Sequence, residues 1–383
     1  MGKALEEALQ KINKSYGQEI VTMGFDAEKA YDSIKRIPFS SPRANYMTYG
    51  GIPLGRIIEF AGEESSGKTT TALDIVGNAQ EYFRKEYESS LEKFGDPESL
   101  GKVQKKDYEE IKNRGPRQVV YMDAENTLDI EWAELLGVRV EDMYIYKPQR
   151  QSAEEIFEDA IRMINTGEVG LLIIDSLGSL LSGQAFEKSL EERTYGGISI
   201  PLTGFSKKAA LACNEYNCTV IGINQIRDNL NSMYGGVVTP GGRGWKHACS
   251  LRIMFKKGSY IDDNCDDIKK SSESPAGNKI LMDIQKTKCF RPDRRTGFYT
   301  LSYTEGIESL NDLLELAVSS DVIHKGGAGW YTINDPKTME PLLDDEGNMY
   351  KVQGKKGVLD LLETTGEVYE RIYTYVNDWI HQV

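Results

Sequence analysis

Gly62-Glu63-Glu64-Ser65-Ser66-Gly67-Lys68-Thr69 fits the pattern G-x-x-x-x-G-K-[ST], a combination of residues suited to holding a chain of phosphates. The glycines let the backbone fold round a phosphate with its N–H groups inward, and a helix N-terminus behind the loop adds positive potential. Lys68 is then placed to reach the β- and γ-phosphates and Thr69 to hold Mg²⁺, with Thr70 next to it in the nucleotide-binding set. The flanks support this chemistry. Arg56 to Phe60 reads as a short strand and Thr70 to Gln80 as a helix with few breakers, a setting that an ordinary glycine-rich turn with a surface lysine would lack.

Two carboxylate positions complete a nucleotide-hydrolysing set. Leu171-Leu172-Ile173-Ile174-Asp175 is an apolar strand ending in an acid, so Asp175 is a candidate to bind Mg²⁺ through water. Gln118 to Glu125 is a second apolar run ending in acids, and Glu125 is a candidate general base for an attacking water. Asp123 competes for that role, and spacing alone does not separate the two.

The elements that must position these groups read as a mixed α/β sheet. Apolar runs occur at Arg56 to Phe60, Gln118 to Met122, Gly170 to Ile174, Cys218 to Ile223, Ser250 to Phe255, Asn278 to Gln285 and Gly297 to Tyr303. The first four alternate with helical patterns and predict parallel strands covered on both faces; the last three follow closely and predict antiparallel additions. A charged stretch from Tyr82 to Arg117 reads as a solvated helical excursion, and Gly366 to Ile380 as a final helix.

With 383 residues, 39% hydrophobic and 27% charged, the chain is long enough for a large core and smaller units beside it. No apolar run approaches the length of a membrane span, and the polar segment from Met1 to Gln18 does not resemble a secretory signal. Five cysteines without a CxxC pair and three scattered histidines argue against a zinc site or disulfide framework, and fit a cytoplasmic setting. The net charge of −13 is unevenly spread. Arg193 to Lys257 carries nine Lys/Arg against two acids, the footprint either of a polyanion groove or of a chance solvated face.

Four stretches together resemble the RecA family of homologous recombinases: Gly50-Gly51-Ile52-Pro53-Leu54-Gly55-Arg56 leading into the phosphate loop, Asp123-Ala124-Glu125-Asn126-Thr127-Leu128-Asp129, Leu171 to Ser176, and Ile223-Asn224-Gln225-Ile226-Arg227. The likeness runs from about Tyr49 to Glu308 and continues more weakly into both ends. It implies a RecA-type ATPase core over 37–308 with a charged insertion near 83–117, an N-terminal oligomerisation arm over 1–36 and a small C-terminal α/β domain over 309–383.

Carried over residue by residue, the resemblance makes Glu125 the catalytic glutamate and places Asp129 and Trp132 against adenine. It makes Gln225 the sensor of the γ-phosphate that relays nucleotide state to a DNA-binding loop. Lys286 and Lys288 match a lysine pair that reaches a neighbouring subunit's ATP. The basic stretch then coincides with two DNA-binding loops, about Gln184 to Phe205, followed by Lys207 and Lys208, and about Asp228 to Gly244. In the second, Gly235, Gly241 and Gly242 would offer backbone N–H groups, Arg227, Arg243 and Lys246 charge, and Met233 and Tyr234 surfaces for bases. The implied function is a DNA-dependent ATPase that uses ATP and Mg²⁺, forms homo-oligomeric helical filaments on single-stranded DNA and exchanges strands with duplex DNA. A helicase or regulatory ATPase of the same fold, and an ATP-switched DNA-coating mediator, are the rival functions. His247 stands where many relatives carry Phe, and no long acidic tail follows the final helix.

Overall fold

A computed structural model describes residues 3–16, 34–187, 197–228, 237–269 and 274–381. Met233, Tyr234 and Gly235 lie outside the described residues, as does the middle of the first loop. The chain divides into two compact units, Met1–Lys35, which contains helix α1 (Lys3–Tyr16), and Arg36–Val383.

In the second unit one large sheet carries β1 (Ile57–Gly62), β2 (Gln118–Asp123), β3 (Met143–Tyr146), β4 (Val169–Asp175), β5 (Thr219–Gln225), β6 (Leu251–Ile261), β7 (Gly277–Thr287), β8 (Thr296–Ser302) and β9 (Gly306–Ile307). Their spatial order is β9-β8-β7-β6-β1-β5-β4-β2-β3, with the short Asp267–Ile268 strand paired to β6. The principal helices here are α2 (Pro42–Thr48), α3 (Lys68–Glu92), α4 (Lys102–Arg114), α5 (Ile130–Leu135), α6 (Ala153–Ile164), α7 (Ser199–Tyr216), α8 (Gly242–Ala248), α9 (Ser309–Ser319), α10 (Gly354–Thr364) and α11 (Gly366–His381).

Successive residues of the parallel strands point to opposite faces, and both faces are covered. Ile58, Phe60, Tyr121, Ile173 and Ile221 pack with Leu73, Ile75 and Phe83 of α3. Ile57, Val120, Met122, Leu172 and Val220 pack with α6 and α7, where the Phe157 and Phe205 rings stack 4.6 Å apart. That burial explains why these strands read as nearly continuous apolar runs.

Two sequence expectations change. The Ser250 to Phe255 run was expected to add antiparallel, yet β6 lies parallel to β1, with Leu251 opposite Ile58, and antiparallel pairing starts only between β6 and β7. Helix α8, formed within the glycine-rich stretch, lies in the crossover that parallel pairing needs. The phosphate-loop helix also outruns the expected Thr70 to Gln80, because its charged second half is stabilised by ion pairs: Arg84 meets Glu81 and Glu88 at 2.7 Å each. Arg117 then closes the excursion onto Glu86 at 2.7 Å.

The C-terminal elements gather a hydrophobic cluster of their own, in which Leu313 and Leu316 of α9 meet Val358, Leu362, Ile372 and Val376. A three-stranded sheet of Ile323–Lys325, Trp330–Ile333 and Lys351–Gln353 lies with these helices.

Two buried carboxyls tie the segment after Lys35 to the core. Asp74 of α3 accepts from the Ser40 N–H at 3.2 Å and from Asn78 at 3.0 Å, while Asp312 of α9 accepts from the Ser41 hydroxyl at 2.5 Å and the Thr300 hydroxyl at 2.8 Å. Burial raises both from the ordinary carboxyl value to about 7. Each folded-state group therefore keeps its proton where the unfolded chain has released one, so their stabilising contribution is present at low pH and lost as pH rises through about 7. The melting temperature should fall by roughly 2 °C or more between pH 6 and pH 8, and Asp74→Asn should flatten that fall, as a calorimetric pH series would show.

Candidate functional site

Four adjacent parallel strands end on one edge of the sheet: β1 in Gly62, β5 in Gln225, β4 in Asp175 and β2 in Asp123. Register makes the alignment explicit, since Gly62 lies opposite Gln225 and Asp123 opposite Asp175. The carboxyl ends of a doubly wound sheet are where such folds collect ligands, because loops leaving the strands converge with helix N-termini there.

The loop between β1 and α3 has the geometry of a phosphate cradle. Gly67 caps α3 with φ of 95°, a left-handed conformation costly for a side chain. At Gly62 a Cβ would come within 2.5 Å of both the Phe255 carbonyl oxygen and Ser66 Oγ. Glu63, Glu64 and Ser65 are exposed at the rim, whereas Ser66 is buried and donates to the Glu63 carbonyl at 2.7 Å. Lys68 is buried along its stem and folds its ammonium onto the Glu63 carbonyl and Ser66. Burial lowers its pKa, while the charges of Asp175 and Glu125 oppose the shift.

Thr69 donates its hydroxyl to Asp175 Oδ2 at 2.8 Å, and Tyr121 donates to the same oxygen at 2.6 Å. Burial raises the Asp175 pKa and these two donors pull against it. A hydroxyl and a carboxylate in contact beside a phosphate cradle fit Mg²⁺, a hard cation that takes one or two protein oxygens and completes its shell with phosphates and water. Among the described residues no cluster of His, Cys, Asp and Glu could hold a metal independently of such a ligand.

The two candidate bases have different partners. Asp123 is buried and accepts from the backbone N–H groups of Thr127 and Leu128 at 3.1 and 3.2 Å, shaping the turn after β2. Glu125 is exposed, and its carboxylate accepts from Ser176, the residue after Asp175. Asp129 caps α5 by accepting from the Trp132 N–H at 3.1 Å, and the half-buried Trp132 indole donates to Thr70 at 3.3 Å, which sets an aromatic face beside the first turn of α3.

Gln225 is exposed beside the loop, and the next residue, Ile226, donates its N–H to the Gly62 carbonyl at 3.3 Å. Arg227 and Arg243 are exposed. Gly241 caps α8 and Gly242 opens it, both packed closely on α7 through Leu202 and Ser199. Lys207 is exposed, whereas Lys208 is engaged in a surface ion pair with Glu158 of α6. Lys286 donates to the carbonyls of Lys246 and His247 at 2.7 and 2.9 Å, and Lys288 to His247 at 3.1 Å, so both ammoniums sit at the C-terminus of α8. Burial lowers the Lys286 pKa, with Lys288 adding to the effect.

Sequence reasoning missed Tyr121 and Ser176. Tyr121 lay hidden among apolar strand residues, where nothing marks an aromatic as an acid's partner. Ser176 directly follows a strand-end acid, a position that could have raised the question.

A family model of the RecA N-terminal domain matches residues 3–86 and 90–308. The chain is 32% identical over 337 residues to Protein RecA of Aquifex aeolicus, covering 88% of this chain and 84% of that one. It is 31% identical over 332 residues to Protein RecA of Geobacter metallireducens, covering 86% and 84%, and 29% identical over 377 residues to Protein RecA of Clostridioides difficile, covering 98% and 92%. With the family model spanning most of the chain and the phosphate loop, Asp123, Asp175 and Gln225 ending on one sheet edge, this protein belongs to the RecA family of recombinases.

Proposed function

We propose that the chain is a DNA-dependent ATPase that assembles on single-stranded DNA as a helical homo-oligomer, pairs it with homologous duplex and exchanges strands. The observation that supports it most is the meeting of Lys68, Thr69, Asp175 and Glu125 on the same sheet edge as Gln225, from which the glycine- and arginine-bearing segment departs. Lys68 and the loop N–H groups bind the phosphates of ATP, Trp132 offers its face to adenine with Asp129 beside it, and Gln225 senses the terminal phosphate. Glu125 takes the proton of the attacking water; Asp123, committed to the turn, does not. Thr69 and Asp175 would hold Mg²⁺, which when bound neutralises charge developing on the phosphates. Lys286 and Lys288 would leave the end of α8 to meet the ATP of an adjacent subunit. The arm over 1–36 would carry subunit contacts and the unit over 309–383 a separate small domain.

The basic segment supplies phosphate contacts and, through Met233 and Tyr234, stacking surfaces. Affinity for single-stranded DNA should therefore fall steeply with salt. Arg243→Ala should weaken binding to all sequences alike and lower the log–log salt slope by roughly 0.7, while Tyr234→Ala should cost about 1 to 3 kcal/mol with little change of slope. Unchanged binding in both variants would remove this segment from the DNA site. The function itself is tested by incubating the protein and ATP·Mg²⁺ with circular single strands and homologous linear duplex: exchanged joint molecules are expected, and strand separation without pairing would favour the helicase reading.

A further inference from the structure

The central strand β1 contains a charge with no place in a buried apolar run. Glu59 is 0% exposed and stands three residues before Gly62. Its Oε1 accepts from Asn224 Nδ2 at 2.9 Å and from Trp245 Nε1 at 3.0 Å, and its Oε2 pairs with Arg252 Nε on β6. Asn224 immediately precedes Gln225, and its Nδ2 also donates to the Pro240 carbonyl at 2.9 Å. Arg252 reaches the Thr239 hydroxyl at 3.5 Å. One carboxylate thus holds residues at both ends of the segment 225–240, together with the helix that follows it, and sits on the strand that becomes the phosphate loop.

Burying an ion pair is costly, and such a pair is weak evidence of stability on its own. A core built only for stability could fill this space with apolar side chains at less desolvation cost. Here every partner of the carboxylate belongs to, or flanks, the elements that would have to move together when nucleotide arrives. The Asn224 Oδ1 is also buried and has no hydrogen-bond partner among the described residues, so the strand end next to Gln225 is not locked by a full set of bonds.

We infer that Glu59 is a positioning residue that couples the phosphate loop to the DNA-binding segment, by fixing Asn224, Pro240 and Trp245 in one arrangement relative to β1. This rests on the recombinase reading given above. Without the carboxylate, Asn224 and Trp245 lose their common acceptor, and the segment's two ends are free to set independently of Gly62. In Glu59→Gln a single oxygen replaces two, so the amide NH2 must face either the Arg252 guanidinium or the Asn224 and Trp245 donors, and one side of the network is repelled in either orientation while the side-chain volume is kept. Trp245→Phe removes the indole donor together with part of a fully buried ring and leaves the ion pair intact, so its stability is measured beside its binding.

The test measures affinity for single-stranded DNA with and without a slowly hydrolysed ATP analogue, alongside affinity for the analogue alone. In both variants nucleotide affinity should stay within about threefold of wild type, while the gain in DNA affinity caused by the nucleotide should shrink by about tenfold in Glu59→Gln and about fivefold in Trp245→Phe. A purely structural role would instead lower stability and leave that ratio unchanged. Should Glu59→Gln fail to fold, Trp245→Phe decides. A wild-type ratio in the folded variants overturns the inference alone; a wild-type protein showing no nucleotide-dependent gain overturns the recombinase reading and the inference with it.

Discussion

Glu125→Gln is expected to bind ATP with near-normal affinity and to hydrolyse it about 10²- to 10⁴-fold more slowly, the usual loss when a positioned general base is removed. The amide keeps an oxygen to accept the Ser176 hydroxyl, so the turn after β2 should survive and the loss should appear in kcat rather than in KM. On the proposed function, in which turnover releases the protein from DNA, the DNA-bound state should then persist. Single-turnover hydrolysis in the presence of single-stranded DNA measures the chemical step directly. Full activity would move the base to another group, and Asp123 would have to abandon the Thr127 and Leu128 N–H groups to take it. Lys68→Ala should behave differently. It removes the ammonium held over the Glu63 carbonyl and Ser66, so nucleotide affinity and turnover should fall together.

The double substitution Lys286→Ala with Lys288→Ala should leave the phosphate loop of each subunit intact, since neither lysine touches it within the chain. DNA-stimulated hydrolysis should nevertheless fall about 10²-fold or more, as expected when cationic stabilisation of a transferring phosphoryl group is lost. Filaments should weaken in parallel. Both ammoniums rest on carbonyls at the end of α8, the helix that follows the proposed DNA-binding segment, so a departure toward a neighbour's ATP would release that helix end. Nucleotide binding by the isolated subunit serves as the control. Normal turnover and normal filaments would return the pair to the status of a strand-end structural contact.

What the sequence disclosed follows from how locally each feature is encoded. The phosphate loop, the strand-end acids and the apolar parallel strands are contiguous patterns, and each lies where its pattern placed it. Pairing direction is not local, which is why β6 was misplaced. Its neighbours could not be read from its own residues, and the helix before it is built from Gly242, Gly244 and Trp245 rather than from good helix formers. The long phosphate-loop helix was cut short for a related reason, because its second half is held by ion pairs of Arg84 and not by an apolar stripe. Spacing did not separate Asp123 from Glu125, and only the resemblance favoured Glu125; the hydrogen bonds that Asp123 accepts from Thr127 and Leu128 are a tertiary feature that spacing does not encode. Glu59 was legible as an oddity, a charge inside Ile57-Ile58-Glu59-Phe60, but its partners lie 165 to 193 residues away in the chain.

Electron microscopy of the protein with single-stranded DNA, Mg²⁺ and a slowly hydrolysed ATP analogue bears most directly on the assignment. Continuous helical filaments that need the nucleotide, and that dissolve when Lys286 and Lys288 are both replaced by Ala, are the expected result. Closed six-membered rings, or DNA coating that is indifferent to nucleotide, would contradict it.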